Sequence, residues 1–133
     1  MDGFGAHTAH RFHAHSSAVR YARRTAIDFA CEHDVPAQKL HAIALAVSEA
    51  TTNVVMHAYR SKPVAGTFSL DLEVHDSSLV IDVRDHGLGM RPRIDSPGLG
   101  LGLPIIASVT DGFAVAPGET GGTCLSMRFD LDA

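Results

Sequence analysis

The sequence predicts a single α+β domain, and three observations carry that reading. Two apolar stripes at helical spacing mark long amphipathic helices: Val19, Ala22, Ala26, Phe29 and Ala30, then Ile43, Val47, Ala50 and Val54. Two runs of period two follow, with Phe68, Leu70, Leu72 and Val74 in the first and Leu79, Ile81 and Val83 in the second. Polar residues alternate with them and Asp76-Ser77-Ser78 lies between, the pattern of an antiparallel hairpin with one buried face. At 133 residues the chain suits one core and not two.

Composition narrows the classes. Hydrophobic content of 45% and charged content of 20% are those of an ordinary globular protein. A net charge of -4 gives no footprint for nucleic acid or an anionic membrane. The longest strictly apolar run, Ala42 to Val47, is too short to span a bilayer, and the N-terminus lacks the pattern of a signal peptide. Cys31 and Cys124 are the only cysteines and form no CxxC, so a reducing cytoplasm is the expected location.

In chain order, residues 1–11 read as a flexible Gly- and His-rich tail, and 12–131 as the folded domain. His7, His10, His13 and His15 have no acidic or thiol residue nearby to complete a metal-ligand set, which favours a solvated tail over a metal site. Arg11 to Ala14 suits a short strand, and Ser16 or Ser17 an N-cap. The first helix runs to about His33 with Arg20, Arg23, Arg24 and Asp28 on its polar face, either solvated or a dock for an acidic partner. Asp34-Val35-Pro36 ends it, and Pro36 opens a second helix from about Ala37 to Tyr59.

That second helix holds the first candidate site residues. Glu49, Asn53 and His57 recur at i, i+4 and form a polar row beside the apolar stripe. A carboxylate and an amide beside a core face are costly unless something uses them. The hairpin adds a second anomaly, because the residue after Val83 on the buried face is Asp85. An unpaired buried charge costs several kcal/mol, so Asp85 demands a partner. Gly87 and Gly89 follow it and allow close approach of a ligand to the backbone.

Met90 to Leu99 has no periodicity and reads as a loop leading into Gly98-Leu99-Gly100-Leu101-Gly102, where a helix opens and runs to about Thr110. Glycines at a helix N-terminus offer N–H groups and a positive dipole end to a phosphate. No Gly-Lys-Ser/Thr follows, so this is not a Walker motif, and no preceding βαβ unit supports a dinucleotide fingerprint. The last strands span about Phe113–Ala116 and Gly122–Leu131. In the final one Thr123 continues the apolar face of Leu125, Met127 and Phe129, as Asp85 does in the hairpin.

Glu49-xxx-Asn53, Asp85-x-Gly87-x-Gly89, Gly100-x-Gly102 and Gly122-Thr123 stand in the order of the N box and three glycine boxes of the GHKL ATPases, the superfamily of gyrase and histidine kinases. Ala46 to Asn53 with His57-Ala58-Tyr59, and Gly100-Leu101-Gly102-Leu103 followed by Ile106 and Asp111, resemble the anti-sigma factor serine/threonine kinases within it. Four ordered motifs over nearly the whole chain are far more specific than any one.

The resemblance implies a Bergerat fold, a two-layer sandwich with a mainly antiparallel sheet and helices on one face. It implies ATP and Mg²⁺ as cofactors. Asp85 would accept from the adenine amine with Thr123 in support, and Gly87 and Gly89 would shape that pocket. Gly100 and Gly102, with Gly98 and Leu101 in the same segment, would meet the phosphates. Asn53 would ligate magnesium, and Glu49 would be the catalytic base. The implied function is an anti-sigma factor that phosphorylates a STAS-type anti-anti-sigma antagonist, with a sigma factor as its other partner. Arg23 is then the expected partner contact, with Arg20 second. Several members of the family dimerise, which leaves a homodimer open.

Two departures keep an alternative in view. Ser96-Pro97 precede Gly98 where family kinases often carry an arginine, and the segment from Met90 to Leu99 is short. Arg91 and Arg93 are the only substitutes there. A nucleotide-dependent binding regulator without turnover is therefore the second reading. A sensor histidine kinase is not expected, since no dimerisation helices precede the domain.

Overall fold

The computed structural model describes residues 5–58, 66–86, 103–118 and 121–132. The elements are β1 (Ala6–His13), α1 (Ser16–Glu32), α2 (Ala37–Asn53), a π-helical turn (Val54–Ala58), β2 (Thr67–His75), β3 (Ser78–Asp85), α3 (Leu103–Val109), β4 (Gly112–Pro117) and β5 (Thr123–Asp130). The five strands form one sheet in the order β1-β2-β3-β5-β4, and every pairing is antiparallel.

Alternation on the strands creates the core. Phe68, Leu70 and Leu72 of β2, Leu79, Ile81 and Val83 of β3, and Leu125, Met127 and Phe129 of β5 are all buried on one face. The helices supply the other layer through Ala18, Ala22, Ala26 and Phe29 of α1, Ile43, Ala46, Val47 and Ala50 of α2, and Ile106 of α3. Each large apolar side chain moved out of water there contributes about 1.5–3 kcal/mol. The α1 stripe is mostly alanine, which lets that helix pack close to α2. The predicted two-layer α+β sandwich is thus the observed one.

Local chemistry explains the boundaries. His15 caps α1, its ring accepting from the Ser17 N–H at 3.4 Å, so the cap lies one residue before the predicted Ser16 or Ser17. At the other end Asp34 takes a left-handed φ of 62° and the Val35 N–H returns to Ala30 O at 3.0 Å, while Val35 itself is buried. That is a Schellman closure with aspartate where glycine is usual. The hairpin turns on Asp76-Ser77, with Asp76 at φ 56° and Ser78 already paired with His75.

The N-terminal segment differs from expectation. Residues 6–11 belong to an eight-residue edge strand, β1, in full register with β2 from Ala6↔Val74 to His13↔Thr67. Its inward positions are Ala6, Thr8, His10 and Phe12, and only Phe12 has strong hydrophobic contrast. Phe12 stacks on Phe68 at 5.5 Å and anchors the strand. Alanine, threonine and histidine hide the period-two signal that the backbone ladder nonetheless uses.

Candidate nucleotide site

The last turns of α2 carry the polar row. Thr51 is fully buried, and its hydroxyl donates to Val47 O at 2.7 Å with a second approach to Ser48 O at 3.4 Å. Glu49 is part-buried on this turn, and Asn53 is only 3% exposed. A helix side chain such as Asn53 is rarely covered so fully unless its amide is used. Immediately after Asn53 the helix widens into the π turn. Such turns bond i→i+5 and occur often at functional sites. His57 lies within it, so the straight i, i+4 row predicted from α spacing ends at Asn53.

The sheet carries the second half. Asp85 and Thr123 are direct partners across β3 and β5, 2% and 5% exposed, on the face that meets the helices. Gly122 makes that approach feasible. Its φ is +77°, and an added Cβ would sit 2.6 Å from the Asp85 carbonyl carbon and 2.7 Å from His86 Cα. No side chain fits there. Past the strand ends lies a cavity of about 290 Å³, bordered by Asp85, His86, Gly118, Thr123, Arg84 and Cys124. That is near the lower end of small-molecule pockets and suits part of a nucleotide rather than all of it.

Arg84 and Cys124 occupy the outer side of the same two strands and were not anticipated as neighbours of the site. The Arg84 Nε donates to Cys124 Sγ at 3.4 Å, and a terminal nitrogen lies 3.6 Å from Asp82. The Cys124 sulfur first, then the nearby Asp82 and Asp71 carboxylates, hold this guanidinium above its ordinary pKa. Their register, Arg84↔Cys124, follows directly from Asp85↔Thr123.

Asp111 is a structural residue. Its carboxylate accepts the Asp130 N–H at 2.8 Å and faces Lys39 at 3.8 Å, tying the α3–β4 turn to β5 and to the start of α2. Gly87, Gly89, Gly98, Gly100, Leu101 and Gly102 lie outside the described residues, as do Arg91 and Arg93. Of the candidate site residues, the described ones are Glu49 and Asn53 on α2 and the Asp85–Thr123 pair on the sheet. Among the described residues no group of three or more His, Cys, Asp or Glu is arranged to hold a metal, and no helix is long and apolar enough to cross a membrane.

Residues 12–129 match the family model of the histidine kinase-like ATPase domain. The chain belongs to that family. It is also similar to curated relatives named anti-sigma F factor. The one from Clostridium acetobutylicum is 31% identical over 129 residues, covering 89% of each chain. The one from Caldanaerobacter subterraneus subsp. tengcongensis is 28% identical over 128 residues, covering 88% of each. The Geobacillus stearothermophilus protein is 34% identical over 80 residues, 60% of this chain and 54% of its own. The family match runs from the end of β1 into β5 and includes Glu49, Asn53, Asp85 and Thr123.

Proposed function

We propose that this protein is an ATP-dependent anti-sigma factor and serine/threonine protein kinase that phosphorylates a STAS-type antagonist. The observation that carries the reading is the buried Asp85–Thr123 pair in a member of the histidine kinase-like ATPase family. A carboxylate kept in a nearly dry site is suited to accept from a purine amine, because a charge-assisted hydrogen bond there offsets its desolvation. Asn53 offers an amide oxygen, a donor type that a hard dication accepts, so the residues present fit Mg²⁺. Bound magnesium would supply charge neutralisation at the phosphates. Glu49, one helical turn before Asn53, is the base that takes the proton from an attacking serine or threonine hydroxyl. Positioning and electrostatics supply most of the acceleration in phosphoryl transfer.

The sigma factor as partner rests on the relatives' name, anti-sigma F factor. The second reading, a nucleotide-dependent binder without turnover, is favoured by Ser96-Pro97 in place of an arginine before Gly98. Incubation with Mg-ATP and the cognate STAS protein, beside Glu49→Ala, separates the two. Transfer to a serine or threonine that requires Glu49 supports the kinase. Nucleotide binding without transfer leaves the binder.

A further inference from the structure

Thr51 occupies a place where the fold alone favours an apolar side chain. It is fully buried, on the stretch of α2 whose other covered positions include Val47 and Ala50. Alanine there would bring a higher helix propensity, and valine the same shape without a hydroxyl to satisfy. The Thr51 hydroxyl finds its partners within the helix itself. It donates to Val47 O, four residues back, at 2.7 Å and approaches Ser48 O at 3.4 Å. A threonine bonded in this way bends its helix and slightly destabilises it. Stability therefore gives no reason for a hydroxyl at this position.

Its place along α2 gives one. Glu49 lies two residues before Thr51 and Asn53 two after, so the bend falls between the two candidate site residues. Upstream, Arg23 of α1 donates to Ser48 Oγ at 3.1 Å and ties the turn to the neighbouring helix. With that side held, a change of helix direction is taken up downstream, at the buried Asn53 and the π turn from Val54 to Ala58. We infer that Thr51 is a positioning residue, whose hydroxyl sets the direction of the last turn of α2 and with it the presentation of the Asn53 amide to magnesium-bound nucleotide. Its action runs through the backbone. The inference rests on the ATP- and Mg²⁺-dependent reading above, and gives a role to one of the three unspecified positions between Glu49 and Asn53.

Isothermal titration of ATP with excess Mg²⁺ and again in EDTA, on wild type, Thr51→Val and Thr51→Ser, tests it beside the melting temperature of each. Magnesium tightens ATP binding by the wild type. Thr51→Val keeps the shape and loses the hydroxyl. Its magnesium-dependent gain falls about ten-fold, the low end for residues that orient a metal ligand, while binding in EDTA is unchanged. Its melting temperature equals or exceeds that of wild type, because the back-bond that strains the helix is gone. Thr51→Ser keeps the hydroxyl and loses a buried methyl, so it melts lower yet retains the full gain. A structural role alone would move the melting temperature and leave the gain untouched. An undiminished gain in Thr51→Val, or an equal loss of gain in Thr51→Ser, overturns the inference. So does a Thr51→Val that melts below wild type, since the hydroxyl then serves the fold. ATP binding by the wild type that is absent or indifferent to magnesium overturns the underlying reading, and the inference with it.

Discussion

Gly122→Ala isolates the geometry at the sheet end of the site. The substitution acts twice. Alanine at φ +77° incurs a left-handed penalty of about 1–2 kcal/mol. Its Cβ also lands on the backbone of Asp85 and His86, 2.6 Å from a carbonyl carbon and 2.7 Å from a Cα, and neither can swing aside as a flexible side chain would. β3 and β5 must then part locally, at a further cost of about 1–3 kcal/mol by analogy with overpacking. A sum of roughly 3 kcal/mol lowers the melting temperature of a domain this size by about 10 °C. Because Asp85 and Thr123 are direct partners, the same displacement weakens ATP binding. Gly121→Ala is the matched control, since Gly121 has φ +104° and nothing within 4 Å of an added Cβ. It carries the backbone penalty without the collision. Scanning calorimetry and ATP titration of both variants decide the matter. Equal stability and equal ATP affinity for the two would refute the close approach of Gly122 to Asp85.

Three further outcomes follow from the packing and the proposed chemistry. Ile81 is fully buried at the centre of the sheet, so Ile81→Ala costs about 2–5 kcal/mol in urea unfolding with the fold retained. Asp111→Ala removes the acceptor of the Asp130 N–H and costs about 1–2 kcal/mol, whereas Asp111→Asn keeps an acceptor and loses only the exposed Lys39 contact, about 0.5 kcal/mol. Equal losses in the two would show that the ion pair dominates. Glu49→Ala binds Mg-ATP within about two-fold of wild type yet loses transfer to the STAS substrate, since a general base contributes about 10²–10⁴-fold. Retained transfer would exclude Glu49 as the base.

The elements legible in advance were those with strong contrast. Alternation along β2, β3 and β5 placed Asp85 and Thr123 on the buried face, and the structure makes them partners across two strands distant in sequence. The i, i+4 spacing placed Glu49 and Asn53 together on α2. What escaped lacked a hydrophobic signature. β1 alternates alanine, threonine and histidine, which differ little in hydropathy, and its order comes from pairing with β2. The π turn follows a stretch whose side-chain spacing is that of an ordinary amphipathic helix, so periodicity does not announce it. The Arg23–Ser48 bond joins residues on two helices, and periodicity reports faces rather than partners. An arginine on the first helix and a serine beside the polar row of the second are its only trace in the sequence.

The proposed function depends first on Asp85 reading the base of a bound adenine nucleotide. Isothermal titration of ATP and GTP into the wild-type protein and Asp85→Asn tests it most directly. A buried charge-assisted hydrogen bond is worth about 1.5–3 kcal/mol, so Asp85→Asn should weaken ATP binding roughly 10- to 150-fold with an unchanged circular dichroism spectrum. Wild type should bind ATP well ahead of GTP, whose carbonyl at the corresponding position cannot donate to the carboxylate. Equal ATP affinity for wild type and Asp85→Asn would show that Asp85 does not read the base.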